Sequence, residues 1–310
     1  MDSTTAPWLP TTAVMERIDG LIHHYRNDVR ASLEPLVLKY YPGLAGTPAS
    51  EYRKMIELST KMTVVGHACA AVAGLPFDER RRTLSTLYGG CCFLADSFID
   101  DFGIRATRQY LRRFEHLLSH GWFSVDNERE QLFYVILARL FSERDILDPT
   151  LRQAVMWLFL AQKRDVELRY PASPLQSLSR PDQLRLLAEC ARNRSGHAIS
   201  VLAAFLAPDL SLDTRRWLFT AGALIMHIDD HGDCYADLRH RRVTYMNQLR
   251  APGETLRRIF QNTVARMHAE LPAGEGRDLL IGFLFRYYVT RLRKHVLERN
   301  RADEQWTVYE

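Results

Sequence analysis

The sequence predicts an all-α protein, a single-domain bundle of long helices. Three observations carry that expectation. Apolar residues recur at spacings of three and four almost from end to end, alternating β-rich runs are nearly absent, and the 13 prolines and 16 glycines fall mainly between the periodic segments. Of the 310 residues 46% are apolar and 25% charged, the balance of a chain able to bury a substantial core.

Residues 1–13, rich in Thr and Pro, read as a flexible N-terminal strap. The spacing then predicts helices near 12–40, 48–74, 77–103, 105–120, 127–144, 148–170, 180–206, 211–240, 253–271 and 274–300. The connections at 41–47, 171–179 and 207–212 are too short for domain linkers, and no internal repeat is present. Many of the helices carry a broad apolar face, as Leu151–Leu168 does with Val155, Leu158, Phe159 and Ala161. Such faces belong to helices buried on several sides.

Composition narrows the function. The net charge is +4 and the basic residues are scattered, so no nucleic-acid partner is expected. The five cysteines, Cys69, Cys91, Cys92, Cys190 and Cys234, lack zinc spacing, and their odd number reads as reduced, buried thiols in a cytoplasmic protein. No basic region followed by an apolar stretch opens the chain, so no secretory signal is expected. Apolar stretches such as Trp217–Met226 fall short of the ~18 residues of a membrane span.

Two segments carry chemistry. Along the helix that ends in Leu94–Gly103, the residues Gly89, Cys92, Asp96 and Asp100 share one face, so an inward stripe ends in two carboxylates before Gly103, a natural helix stop. In Ile228–Asp237, the stripe Leu218, Gly222, Ile225 continues into Asp229, Asp233 and Asp237 at i, i+4 and i+8. Like charges one turn apart repel by about 0.2–0.5 kcal/mol per pair. A helix C-terminus adds about 0.3–1 kcal/mol against each. Divalent cations reverse the sign of both terms. Asp96 and Asp100 alone read equally well as a solvated acidic face; two segments that each prolong an apolar stripe argue for a site. Carboxylates without thiolates favour a hard ion, and Mg²⁺ combines one or two carboxylates with water and substrate phosphates. His227 and His231 stand about 200° around the helix from Asp229, so they read as packing or surface residues and not as zinc ligands.

At these residues the chain resembles the class I terpene synthases, and among them the fungal trichodiene-synthase-like branch, with a narrower likeness to humulene-type sesquiterpene synthases. Asp96-Ser-Phe-Ile-Asp100-Asp101 is similar to that branch's aspartate-rich motif, and Asp229-Asp230-His-Gly-Asp233-Cys-Tyr-Ala-Asp237 to its second metal motif. Arg192-Asn-Arg-Ser195-Gly196 resembles a diphosphate sensor, in which the arginine binds diphosphate, Ser195 links, and the Gly196 carbonyl is the effector at a helix break. The likeness spans about 60–300.

The resemblance implies the class I terpenoid synthase, or isoprenoid synthase, fold. It also implies ionisation of a prenyl diphosphate, farnesyl diphosphate first, then cyclisation of the cation to a hydrocarbon or alcohol with release of diphosphate. The metal ligands would be Asp96, Asp100, Asp229, Asp233 and Asp237, holding about three Mg²⁺ ions. Arg192, Arg291 and Arg299 would bind diphosphate, and Phe93, Trp157, Phe159, Phe285 and Tyr288 are candidates to line the cation's pocket. A homodimer is left open.

The chain departs from the pattern in three ways. The second motif is all aspartate. No basic residue precedes Asp237, leaving Arg239 or Arg242 to substitute. The C-terminal Arg-Tyr pair is displaced: Tyr288-Val289-Thr290 resembles the final helix, which would put Leu284, Tyr288, Arg291, His295 and Arg299 on one face, while a literal Arg286-Tyr287 occurs earlier. A trans-prenyl transferase, chain-elongating or head-to-head condensing, remains the main rival, because Asp229–Asp233 reads DDxxD. A non-catalytic helical adaptor is the other.

Overall fold

The structure is a computed structural model that describes residues 9–46, 50–100, 103–122, 124–146, 148–169 and 173–307, without the side chains of 50, 99, 100, 103–107, 169 and 303–307. Most of the expected strap therefore lies outside the described residues. Among those residues all regular structure is helical. The elements are α1 (Thr12–Tyr40), α2 (Pro42–Gly46), α3 (Ser50–Val72), α4 (Glu79–Asp100), α5 (Gly103–His120), α6 (Glu128–Glu143), α7 (Pro149–Arg169), α8 (Arg180–Leu206), α9 (Leu212–Gly232), α10 (Cys234–Arg239), α11 (Pro252–Glu270) and α12 (Glu275–Thr307). Short 3₁₀ turns stand at Pro174–Ser177 and Met246–Gln248. Among the described residues no helix is long and apolar enough to cross a membrane.

The chain forms two compact units. One comprises 16–159 and 201–211; the other comprises 1–15, 160–200 and 212–310. In the first, α3 and α4 pack in opposite directions at very close range. A Cβ on Gly89 would stand 2.4 Å from the Ser59 Cα, so only glycine permits this crossing. α4 also packs on α6, over a core that includes Leu33, Met55, Leu94, Phe133 and Ile136. α6 begins with reciprocal capping: Asn127 Oδ1 accepts from Glu130 N at 2.9 Å, and Glu130 Oε2 accepts from Asp126 N at 2.8 Å. The Arg113 guanidinium donates to both Glu130 and Asp126, tying α5 to this cap.

In the second unit α9 packs on α12 and α11, with Trp217, Leu218, Ile228, Phe260, Val264 and Leu284 in the core. The helix expected over 211–240 is two helices parted at Asp233, whose φ and ψ are −102° and 3°. Asp233 N still reaches Asp229 O at 3.0 Å and Asp237 N reaches Asp233 O at 2.8 Å, so the four-residue spacing survives the break. The five cysteines are free. Four are buried and Cys92 is half-buried, and burial lifts the thiols of Cys69, Cys92 and Cys234 to about 12.

Candidate active site

The best-defined constellation lies where α9 runs out. Its apolar face continues into Asp229 and Asp233, whose side chains remain 28% and 27% exposed while Asp230 beside them is buried. α12 supplies their partners. Arg291 Nη2 donates to Asp233 Oδ2 at 2.6 Å and also to Asp229; Lys294 Nζ donates to Asp233, and the Tyr287 hydroxyl to Asp229. Tyr287, Arg291 and Lys294 follow at i, i+4 and i+7, one face of α12. Gly232 lets the Arg291 side chain pass over the end of α9, since a Cβ there would stand 3.1 Å from Arg291 Cβ and Nε. Burial opposes charge on Arg291, but the attraction of Asp229, with Tyr287 and Asp233, outweighs it and holds the guanidinium above its ordinary value. Burial, then the neighbouring Asp229, pushes the Tyr287 hydroxyl well up, so it is a neutral donor.

Lys294 escaped the sequence reading, and Tyr287 entered it only through the literal Arg286-Tyr287 pair, without a link to Asp229. Their spacing about Arg291 was the available signal. The expected face Leu284, Tyr288, Arg291, His295, Arg299 is divided. Tyr288 is buried and stacks on Phe260 at 4.4 Å, and His295 Nδ1 donates to the His231 carbonyl at 2.8 Å. Arg299 is exposed, about 12 Å along the helix from Arg291. Of the proposed substitutes near Asp237, Arg239 is engaged with Glu298 at 2.5 Å. Asp237 itself lies half-buried in the first turn of α10.

The sensor segment differs from expectation. α8 runs unbroken through Ser195 and Gly196, and the Gly196 carbonyl accepts from the Ser200 hydroxyl at 2.9 Å instead of being freed by a helix break. The small residues serve a helix crossing: a Cβ on Gly222 would stand 2.3 Å from the Ser195 carbonyl oxygen, and one on Gly196 would stand 2.5 Å from the Phe219 ring. Arg192 is exposed and near enough to His227 to disfavour its protonation. Arg194, on the other side of α8, forms a buried pair with Asp165 at 3.0 Å. His227 and His231 are buried packing residues; burial first, then Arg192 and His295 respectively, lowers both to about 4.

In the other unit Asp96 is half-buried on α4. Burial lifts the Tyr88 and Tyr110 hydroxyls well above their ordinary values, with Cys91, Cys92 and Asp96 adding to the effect. The Asp96 carboxylate therefore faces the same interior as these groups. Asp100 ends α4, its side chain outside the described residues. Phe93 is buried, and Phe159 is buried against Phe114 with centroids 5.6 Å apart. Trp157, expected in a pocket, is 49% exposed, because it shares the outer stripe of α7 with Gln153, Leu160 and Arg164. Phe285, in the α12 unit, is half-buried against Phe260.

Asp229, Asp233 and Asp237 offer hard oxygen donors only, partly open, with Asp229 and Asp233 already holding cations that a divalent ion can replace. That donor set fits Mg²⁺. Among the described residues no three His, Cys, Asp or Glu side chains converge enough to hold a metal unaided. Mg²⁺ does not require this, since it takes one or two carboxylates with waters and substrate phosphates.

These helices define the fold of the isoprenoid synthases. The ligand-free structure of an FPP/GFPP synthase from Zymomonas mobilis matches 87% of this chain and 98% of its own, with a TM-score of 0.52 at 15% sequence identity. The likeness is of fold, and it does not carry the trichodiene-synthase-like branch that the motifs resemble. No protein-family model and no curated protein matches the sequence.

Proposed function

We propose that this protein is a class I terpene cyclase that ionises a prenyl diphosphate, farnesyl diphosphate by preference, with Mg²⁺ held by Asp229, Asp233 and Asp237 and by Asp96 and Asp100. The observation that carries the reading is the pairing of Asp229 and Asp233 with Arg291, Lys294 and Tyr287 in a protein of this fold. A solvated acidic face has no need of three donors from a neighbouring helix. Bound Mg²⁺ supplies Lewis acidity to the leaving diphosphate. With a metal on these carboxylates, Arg291 and Lys294 would be free to donate to phosphate oxygens, where a planar guanidinium binds bidentately. Arg192, exposed on α8, adds a further positive charge as the C–O bond breaks and its electron pair leaves with diphosphate. Tyr287 keeps Asp229 oriented. In this reading aromatic ring faces stabilise the cation, with the buried Phe93 and Phe159 as candidates.

A second reading, a prenyl transferase, is favoured by the FPP/GFPP synthase name of the structural neighbour. Incubation with farnesyl diphosphate and Mg²⁺, with and without isopentenyl diphosphate, separates the two. A cyclic sesquiterpene formed without isopentenyl diphosphate is the expected outcome. A longer linear diphosphate formed only with it assigns the transferase, and no turnover of either kind removes the reading.

A further inference from the structure

A helix end leaves backbone carbonyls to be satisfied from elsewhere, and in the last turn of α9 three in succession find different donors. Asp229 O accepts from Asp233 N at 3.0 Å and Asp230 O from the Cys234 thiol at 3.3 Å, both supplied by the residues that follow in the chain. His231 O accepts from His295 Nδ1 at 2.8 Å, a donor that comes across from α12. A carbonyl only accepts, so His295 Nδ1 carries the hydrogen. The two imidazoles stack at 4.0 Å and 24°, with His231 only 1% exposed, and Tyr235 closes on the His295 ring from α10 at 5.1 Å. The half-buried His295 therefore touches both sides of the break at Asp233.

His295 follows Arg291 by one turn and Lys294 by one residue, so three neighbouring side chains of α12 grip the end of α9. Arg291 and Lys294 hold carboxylates, which a metal claims; His295 holds backbone, which a metal leaves alone. We propose that His295 is a positioning residue, which keeps the break at Asp233 in register with α12 when Arg291 and Lys294 give up the carboxylates to a divalent ion. The proposal rests on the metal reading given above. In metal-free protein the ion pairs hold the same register, so the imidazole bond is partly redundant there. With those pairs gone it becomes the tie between α12 and the α9 backbone, while Arg239 and Glu298 secure the α10 side of the break.

Two substitutions test it. His295→Phe keeps a ring to stack but has no donor, whereas His295→Asn puts an amide Nδ2 where the imidazole Nδ1 stood. Each protein is titrated with Mg²⁺ alone, and the thermal shift is read against its own metal-free midpoint. His295→Phe should bind the ion about two- to tenfold more weakly than wild type, the worth of one hydrogen bond, and His295→Asn should recover most of that loss. Removing the Arg291 or Lys294 cation should instead tighten Mg²⁺ binding, so a general loosening of α12 cannot give both results. In wild type the nitrogen NMR signals of the His295 ring should keep their Nδ1–H pattern as Mg²⁺ is added, a check that needs no variant to fold. Wild-type affinity in His295→Phe, equal losses in the Phe and Asn variants, or loss of the Nδ1–H pattern would overturn the inference and leave the metal site standing. A wild type without any Mg²⁺ response would remove the metal site itself, and the inference with it.

Discussion

Arg291 holds two carboxylates with one guanidinium, and Lys294 holds one of them again, so these two positions test the site most directly. Lys294→Met should cost under about 1 kcal/mol in metal-free protein, since the ammonium is 40% exposed. Arg291→Met should cost about 2 kcal/mol, between the surface and buried limits. Both variants should bind Mg²⁺ alone more tightly than wild type, because the ion no longer displaces a cation; the enlarged thermal shift on adding Mg²⁺ measures this. An unchanged or smaller shift would mean that metal does not enter at Asp233. On α8 the expectations divide. Arg192→Ala should alter stability by no more than about 0.5 kcal/mol and, if the proposed role holds, greatly slow diphosphate release. Arg194→Ala breaks the buried pair with Asp165 and should cost about 3–5 kcal/mol, read by urea unfolding. Asp229 and Asp233 were legible in the sequence because carboxylates interrupting an apolar stripe are conspicuous. Lys294 was not, nor was the contact of Tyr287 with Asp229, because α12 is polar along much of its length and only packing decides which of its faces meets α9.

At the scale of elements, glycines set how closely helices approach, and their removal should be felt in backbone, not in side chains. Gly222→Ala would press a methyl into the Ser195 carbonyl, so α8 and α9 must part; overpacking of this kind costs about 1–3 kcal/mol. The expected loss is in both thermal stability and turnover, and an unchanged melting temperature would refute the tight crossing. Asn127→Ala should cost about 1 kcal/mol by removing the cap of α6. Helix positions were readable from periodicity alone, since the apolar stripe that signals each helix is also what buries it. The interruption at Asp233 and the continuity of α8 were not. Small residues such as Ser195 and Gly196 serve a helix break and a close crossing equally well, and only the neighbouring Gly222 and Phe219 distinguish them.

At the scale of the whole molecule, the histidines set a pH limit. His197, His227, His231 and His268 are all depressed, chiefly by burial, and His227 and His231 fall from 6.5 to about 4. Between those values the unfolded chain binds protons that the folded chain refuses, so stability should fall as pH drops from 6.5 towards 4. Urea midpoints of metal-free protein across that range check the sign; a midpoint that rises on acidification would contradict it. The all-α class was legible because no segment offered strand periodicity. The resemblance to the fungal branch rests on short motifs, which the fold match at 15% identity neither carries nor needs.

The buried thiols have a practical consequence. With Cys69, Cys92 and Cys234 at about 12 and Cys91 pushed well up, these four cysteines hold almost no thiolate at the near-neutral pH used for maleimide coupling, and Cys190 is buried with its thiol donating to Asp165. A cysteine introduced at an open position, such as Leu212 at 83% exposure, would then be the one fast-reacting group. Spin labels or fluorophores could be attached there without first stripping the native cysteines, and distances within the working protein measured directly.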